Sequence, residues 1–208
     1  MLEPWAARHG IDAGREALLE AFARVEADVE RQRPGASYPD VLRAVHAGLA
    51  RTWRLRAEPD EAERLARSVG DWPLFPDTTA ALAHLGERHR LVVISNVDRA
   101  SFARTAQRLG VTLDAVITAE DAGAFKPDPA PFRQALATIA GWGITPDRVM
   151  HVAQSLYHDH APARALGLAT VWVNRRRGRP GGGATPPPPD GVRPDLEVAS
   201  LAELAAMA

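Results

Sequence analysis

The sequence predicts an α/β protein in which a parallel sheet is covered by helices on both faces and a small helical cap precedes it. Up to residue 72, apolar residues recur at helical spacing, with no strand pattern. From residue 73, short apolar runs alternate with helical stretches, which is typical of right-handed crossovers in a parallel sheet. We therefore assign residues 1–72 to the cap and residues 73–208 to the core.

Three or so helices are expected in the cap. Apolar positions within 18–29 and 41–49 share one helical face each, and a third helix is expected to begin at Pro59, with acidic residues in its first turn. The segment RPGASYPD interrupts the first two helices, and either Ser37 or Asp40 can cap the second.

The core elements follow in alternation. The expected strands are 91–95, 115–118, 149–153, 170–173 and 195–198. The expected helices are 78–87, 99–109, 131–140, 161–166 and 201–207. Residues 175–194, rich in Arg, Gly and Pro, are predicted to form an exposed, mobile loop. Its arginine run, Arg175 to Arg179, is interpreted as solvated, with a lid that contacts an anion as the alternative.

Composition excludes several classes of function. The 208 residues are 46% hydrophobic and carry a net charge of -1, which gives no basis for binding nucleic acid or an anionic membrane surface. The chain has no cysteine, so thiolate catalysis and cysteine zinc sites are excluded. It has no signal-peptide pattern and no apolar run near the roughly 20 residues of a membrane span. We expect a cytoplasmic protein.

Polar residues follow the first predicted core strand. In LVVISN, the apolar residues end at Ile94 and are followed by Ser95 and Asn96. Ligands of open parallel sheets bind beyond the carboxyl ends of the strands, where hydroxyl and amide donors suit an anionic oxygen or a leaving anion. An ordinary strand-to-helix turn, capped by Asp98, is the alternative interpretation.

The segment FKPDP restrains a lysine. Lys126 lies between Phe125 and Pro127, and Asp128 with Pro129 has the pattern of a helix start. A lysine held in this way can neutralise charge that develops on a neighbouring carboxylate. A solvated surface lysine is the alternative.

The segment HVAQSLYHD contains a strand, a turn and Asp159 near the start of a helix. Asp159 could hold Lys126 or position a water, or it could only complement the helix dipole. His158 and His160 flank it, but neighbouring helical positions point in different directions, so a shared metal is not expected. His151 is expected to be a core residue or to support the site.

These three segments resemble the haloacid dehalogenase-like superfamily, and most closely its type II 2-haloacid dehalogenases. That resemblance implies a Rossmann-like core with a helical cap. Ser95 matches the second motif of the superfamily, Lys126 the third, and residues 151–159 the fourth.

The resemblance also implies a mechanism and roles. An aspartate displaces halide from a small 2-haloacid, and water hydrolyses the resulting ester. Lys126, Asp159 and Ser95 are the implied catalytic residues, with Lys126 keeping the nucleophile ionised and Asp159 holding the lysine. Asn96 and Ser155 would bind the substrate carboxylate or the halide.

A cap arginine usually assists the halide in this branch. Arg24 on the first cap helix is our candidate, with Arg15 and Arg31 as alternatives. No metal or other cofactor is expected for dehalogenation. Phosphatases of the superfamily hold Mg²⁺ with a carboxylate where this chain has Gln154, and a neutral amide is a poor ligand for that ion.

The motif that supplies the nucleophile is missing, because LEPWAARHG after Met1 has neither a strand pattern nor an aspartate. In this fold the absent strand lies between those ending at Ser95 and Ala153. Neighbouring strands lie roughly 4.8 Å apart, so a gap about twice as wide, with unpaired backbone groups, is expected. We expect that Met1 is internal to a longer protein and that this chain alone has little activity.

Two alternatives remain open from the sequence. One is a phosphatase of the same superfamily, which would use Mg²⁺. The other is a non-catalytic relative that binds a small acid or a protein partner. A small organic acid is the expected ligand, and a homodimer is left open.

Overall fold

The helices of the cap follow the predicted order. In the computed structural model, which describes residues 1–179 and 181–208, they are α1 (Leu2–Arg8), α2 (Arg15–Gln32), α3 (Tyr38–Thr52) and α4 (Pro59–Arg67). Ser37 caps α3, since its hydroxyl oxygen accepts from the Asp40 amide, and Pro59 begins α4. The helix α1 was not predicted. Among the described residues, no helix has both the length and the apolar character that a bilayer span requires.

The core begins after a 3₁₀ turn at Val69–Asp71. Its helices are α5 (Thr78–Gly86), α6 (Arg99–Leu109), α7 (Ala119–Ala122), α8 (Ala130–Ala140), α9 (Ala161–Ala165) and α10 (Leu201–Ala205). Its strands are β1 (Val92–Ser95), β2 (Ala115–Thr118), β3 (Met150–Ala153), β4 (Ala169–Val173) and β5 (Leu196–Val198). These bounds lie within two residues of those predicted; α7 and a π-helical turn at Leu156–His160 were missed.

The strands form two separate parallel sheets. One contains β1 and β2, and the other has the order β3-β4-β5. Among the described residues, β1 and β3 therefore each have one edge with no strand beside it. The residues of β1 are only partly buried, and Met150 of β3 is 49% exposed. The predicted absence of a central strand corresponds to this division.

Helices pack on both faces of the strands, as predicted. Residues of α5 and α10 share an apolar cluster with Leu91 and Val152, whereas residues of α8 and α9 share another with Ile94 and Val149. Leu91 and Ile94, three positions apart, point to opposite faces of a strand, and the same holds for Val149 and Val152. The fold is therefore the Rossmann-like α/β arrangement.

The cap is packed against the core. Its apolar cluster, built on α2 and α3, also contains Ala119 and Phe125 of the core. Ala119 directly follows β2, so the cap covers the side of the core where the strands have their carboxyl ends.

The loop after β4 is tied to its surroundings. Arg175 forms two hydrogen bonds with Asp77, Arg176 pairs with Glu16 of α2, and Arg177 pairs with Glu197. The Arg175 and Arg176 side chains are 14% and 20% exposed, so the solvated interpretation is wrong for these two. The mobility predicted for 175–194 stays a prediction, and Pro180 lies outside the described residues.

Candidate active site

An ion pair between Lys126 and Asp159 lies at the carboxyl ends of β1 and β3. The Lys126 Nζ donates to Asp159 Oδ1 at 2.7 Å and to the Ile94 carbonyl of β1 at 2.9 Å. The His151 Nε2 of β3 lies 3.1 Å from the same carboxylate oxygen. Polar contacts thus connect β1 to β3 across the gap between the two sheets.

Burial alone would raise the pKa of Asp159. The positive charge of Lys126, together with the hydrogen bonds from His151 and Lys126, outweighs burial and holds that pKa well below its usual range. Lys126 and Asp159 are 9% and 6% exposed, so solvent screens their attraction little. Asp159 is therefore ionised at neutral pH.

The Lys126 backbone is fixed by Asn96. The Lys126 amide donates to Asn96 Oδ1 at 2.7 Å, and Asn96 Nδ2 donates to the Lys126 carbonyl at 3.1 Å. On its other side, Phe125 is buried in the cap cluster. The segment FKPDP is therefore held between the end of β1 and the cap.

The cap contributes a glutamate above Asn96. Asn96 Nδ2 also donates to both carboxylate oxygens of Glu30, at 3.2 and 3.3 Å. Burial, followed by the nearby charge of Glu26, raises the pKa of Glu30 to about 9, despite opposing effects of Asn96 and Lys126. Glu30 is accordingly protonated at neutral pH.

A second glutamate lies one helical turn earlier on α2. Glu26 accepts a hydrogen bond from the Tyr38 hydroxyl at 2.5 Å, and both side chains are buried. Burial raises the pKa of Glu26 to about 7, against the smaller effect of that hydrogen bond. The cap therefore presents two carboxyl groups that favour a proton.

His158 faces these glutamates from the core. The Ser155 hydroxyl oxygen accepts from the His158 amide at 2.9 Å and lies 3.2 Å from Nδ1. Burial lowers the pKa of His158 to about 4, so the ring is neutral at pH 7. Its Nε2 is buried, lies 3.9 Å from Glu30 Oε2 and has no hydrogen-bond partner among the described residues.

These groups line an open cavity of about 130 Å³. From the cap, α2 and α3 contribute Glu26, Glu30 and Tyr38, and Ala184 of the long loop completes that side. Asn96, Lys126, His158 and Asp159 line the core side.

The structure brings only some of the predicted site residues to the cavity. Lys126, Asp159 and Asn96 line it, although the Asn96 amide is engaged by protein groups. Ser155 contributes through His158 and does not line the cavity. The Ser95 hydroxyl oxygen accepts weakly from the Val97 amide, at 3.5 Å, and Ser95 does not line it either.

Arg24 is not in the site. Its side chain is exposed on α2 and does not line the cavity, which corrects the expectation that it faces the substrate. Arg15 pairs with Glu3 and Arg31 with Asp28, so neither alternative arginine replaces it. The cap side of the cavity, called its roof below, carries the acidic groups Glu26 and Glu30 where a cationic group was expected.

A family model described as haloacid dehalogenase-like hydrolase matches residues 5–167. The chain belongs to the haloacid dehalogenase-like hydrolases. It is 27% identical over 230 residues to the phosphoserine phosphatase of Thermus thermophilus, an alignment that covers 93% of this chain and 88% of that protein. It is also 27% identical over 133 residues to (S)-2-haloacid dehalogenase 4A of Burkholderia cepacia, covering 62% of this chain and 56% of that one.

The fold is also that of a solved dehalogenase. The chain matches L-2-haloacid dehalogenase from Xanthobacter autotrophicus, with chloropropionic acid covalently bound, at a TM-score of 0.75. The match covers 99% of this chain and 90% of that one at 19% identity, so it shows the fold alone.

Phosphatases among the haloacid dehalogenase-like hydrolases imply magnesium, and the residues present here do not fit that ion. Gln154 is exposed and does not line the cavity, while Asp159 is bound by the Lys126 cation. Among the described residues, no three His, Cys, Asp or Glu side chains are placed so that they could hold a metal ion. His158 and His160 therefore belong to no such group. The Nε2 of His160 instead lies 3.0 Å from the Ala153 carbonyl.

Glu26, Glu30 and Tyr38 line the cavity but were not predicted from the sequence. A signal for the glutamates exists, because Leu18, Phe22, Glu26 and Glu30 follow one another at intervals of four residues and are all buried on one face of α2. Acidic residues that continue an apolar helical stripe indicate a buried polar site. Tyr38 offers no comparable signal, since its hydroxyl reaches Glu26 only through the packing of α3 on α2.

Proposed function

We propose that this haloacid dehalogenase-like hydrolase removes halide from a small 2-haloacid through an aspartyl ester. The observation that carries the proposal is the Lys126–Asp159 pair at the end of the gap between β1 and β3. A parallel strand ending in aspartate, placed in that gap, would bring its carboxylate next to the Lys126 ammonium.

The chemistry balances without a metal. The aspartate carboxylate attacks C2 of the haloacid, a C–O bond forms, and halide leaves with the electron pair of the C–X bond. Water then hydrolyses the ester, which yields the 2-hydroxy acid, regenerates the carboxylate and releases one proton. Lys126 keeps the attacking carboxylate ionised, and Asp159 with His151 fixes the lysine.

A second candidate is hydrolysis of a small phosphomonoester. It is favoured by the Thermus thermophilus relative, a phosphoserine phosphatase that aligns with 93% of this chain. The exposed Gln154 and the engagement of Asp159 by Lys126 argue against it.

Halide release from 2-chloropropionate tests the proposal. We would assay this chain and a form carrying an N-terminal strand that ends in aspartate, together with phosphate release from phosphomonoesters in the presence of Mg²⁺. Chloride release by the extended form, abolished by Lys126→Met, is the expected result. Phosphate release without chloride release would favour the second candidate, and binding of small acids without either reaction would indicate a non-catalytic relative.

A further inference from the structure

The roof of the cavity carries two carboxyl groups with no cation beside them. Neither Glu26 nor Glu30 forms an ion pair with a lysine or arginine of the described residues. Among the described residues, the one lysine or arginine that lines the cavity is Lys126, whose ammonium donates to Asp159 at 2.7 Å and to the Ile94 carbonyl at 2.9 Å. The Lys126 charge lowers the pKa of Glu30 too little to outweigh burial, so neither glutamate has its charge compensated by an ion pair within the described part of the chain.

An independent observation comes from His158, which is 9% exposed and lines the same cavity. Its Nε2 has no hydrogen-bond partner among the described residues. Buried polar atoms of this kind are rare in folded proteins and call for an explanation. A neutral ring that donates from Nδ1 to the Ser155 hydroxyl oxygen, 3.2 Å away, leaves Nε2 as an acceptor that lies 3.9 Å from Glu30 Oε2, at the wall of the cavity.

We propose that Glu26, Glu30 and His158 form a subsite for a primary ammonium group of a small substrate. An ammonium has three N–H donors, and the two carboxylates with the His158 Nε2 supply three acceptors. A positive charge would offset the burial of both carboxylates, which a neutral hydroxyl cannot do. A carboxylate at this place would be repelled once either glutamate ionises.

The cavity volume is of the size that a small amine occupies. A volume of about 130 Å³ is close to that of an engineered cavity of about 150 Å³ that binds benzene. The subsite therefore suits an amine of a few heavy atoms. This subsite rests on the proposed function, which supplies the reaction. The ammonium group of the substrate would bind at the roof, and its leaving group would point toward Lys126.

Binding of an ammonium group would also release protons. The pKa values of Glu26 and Glu30, raised to about 7 and about 9 in the empty cavity, fall when a cation is bound beside them. Affinity for the cation therefore rises from pH 6 to pH 9, and the protons appear in the buffer. Tyr38, Asp159, Lys126 and His158 are the other titratable groups that line the cavity.

Calorimetric titration of the chain at pH 8 with propylammonium, 1-propanol and propionate tests the subsite. The three probes share one carbon chain and differ in charge. We expect propylammonium to bind at least about tenfold more tightly than the other two, with proton release measured in buffers of different ionisation enthalpy.

Matched variants locate the binding. Glu26→Gln and Glu30→Gln keep the size of the side chain and remove its negative charge, and each should weaken propylammonium binding about tenfold. Glu20→Gln lies on the same helix, is exposed and does not line the cavity, so it should bind like the wild type. Melting temperatures recorded for all three variants show whether the fold is retained.

A second readout uses the only lysine of the chain. Selective ¹⁵N-lysine labelling gives one Nζ resonance, that of Lys126, which should shift on addition of propylammonium. Tighter binding of propionate than of propylammonium would overturn the subsite, as would equal affinity in the wild type and both cavity variants.

The outcomes separate the subsite from the reaction. A chain that binds propylammonium as expected, while its extended form releases neither chloride nor phosphate, would retain the subsite and refute the proposed function. An extended form that releases chloride from 2-chloropropionate without any preference for the amine would refute the subsite alone.

Discussion

The two sides of the cavity hold buried carboxyl groups with opposite behaviour. On the core side, the pKa of Asp159 is held low because the Lys126 charge overcomes the effect of burial. On the cap side, burial raises the pKa of Glu26 and Glu30 to about 7 and about 9. All three side chains are similarly buried, so the difference depends on direct contact with a cation, which only Asp159 has, and not on depth.

The two sides of the cavity differ in whether their buried carboxyl groups contact a cation. On the core side the charge of Asp159 is compensated, since its carboxylate contacts Lys126 and His151. The cap side reaches a comparable state only by taking up protons or a cation. A site with this asymmetry discriminates between ligands mainly through the charge that they bring to the cap.

Removal of the cation should give the largest effect. Lys126→Met leaves Asp159 buried without its partner, and we expect the free energy of unfolding at pH 7 to fall by about 3–5 kcal/mol. Urea unfolding measures it. Arg104→Met, which removes an exposed ion pair with Asp71, should cost less than about 1 kcal/mol. Equal losses in the two variants would contradict the distinction between the core pair and a surface pair.

Removal of a cap carboxyl should change the pH dependence of stability. The pKa of Glu30 rises from 4.5 to about 9 on folding, so its contribution is fully present below pH 4.5 and is lost as pH rises toward 9. We expect wild-type stability to fall by on the order of 3 kcal/mol from this group between pH 5 and pH 9, with relaxation of the site limiting the loss.

The matched variants for this pH dependence are Glu30→Gln and Glu20→Gln. The unfolding free energy of Glu30→Gln should decline less between pH 5 and pH 9, whereas the curve of Glu20→Gln should parallel that of the wild type. A Glu30→Gln curve parallel to the wild type would mean that Glu30 is not held in its protonated form.

Loss of the Tyr38 hydroxyl should have the smallest effect. Tyr38→Phe removes the hydrogen bond to Glu26 and should lower the free energy of unfolding by about 1 kcal/mol. The other tyrosine, Tyr157, supplies the control, because its hydroxyl has no hydrogen bond to the described residues and Tyr157→Phe should be close to neutral. A larger loss in Tyr157→Phe would show that ring packing, and not the hydroxyl, governs both positions.

The core of the fold could be predicted from the sequence because each element carries its own local signal. Short, mostly apolar runs of three to five residues indicate the strands, and Asp98 caps α6 through the Ser101 amide, as its position indicated. The division of the sheet followed from the missing first motif. The contact between Lys126 and Asp159 was also anticipated, whereas their catalytic roles stay predictions.

The cap side of the site could not be predicted in the same way. The spacing of residues on α2 defines which of them share a face, but it does not show that Glu26 and Glu30 continue the buried stripe as far as the core. Arg24 was chosen for its place on that helix, and the rotation of α2 directs it to solvent. The Arg175 and Arg176 pairs join segments about 100 and 160 positions apart, and no local pattern encodes them.

The seam between β1 and β3 also affects how separate molecules meet. A parallel strand without a neighbour offers a row of amide and carbonyl groups, and each such row is a template onto which a foreign extended peptide can add. Met150, the first residue of β3, is half exposed. We therefore expect the protein to associate edge to edge in concentrated solution, because the backbone groups that could pair with a missing strand can also pair with a second molecule.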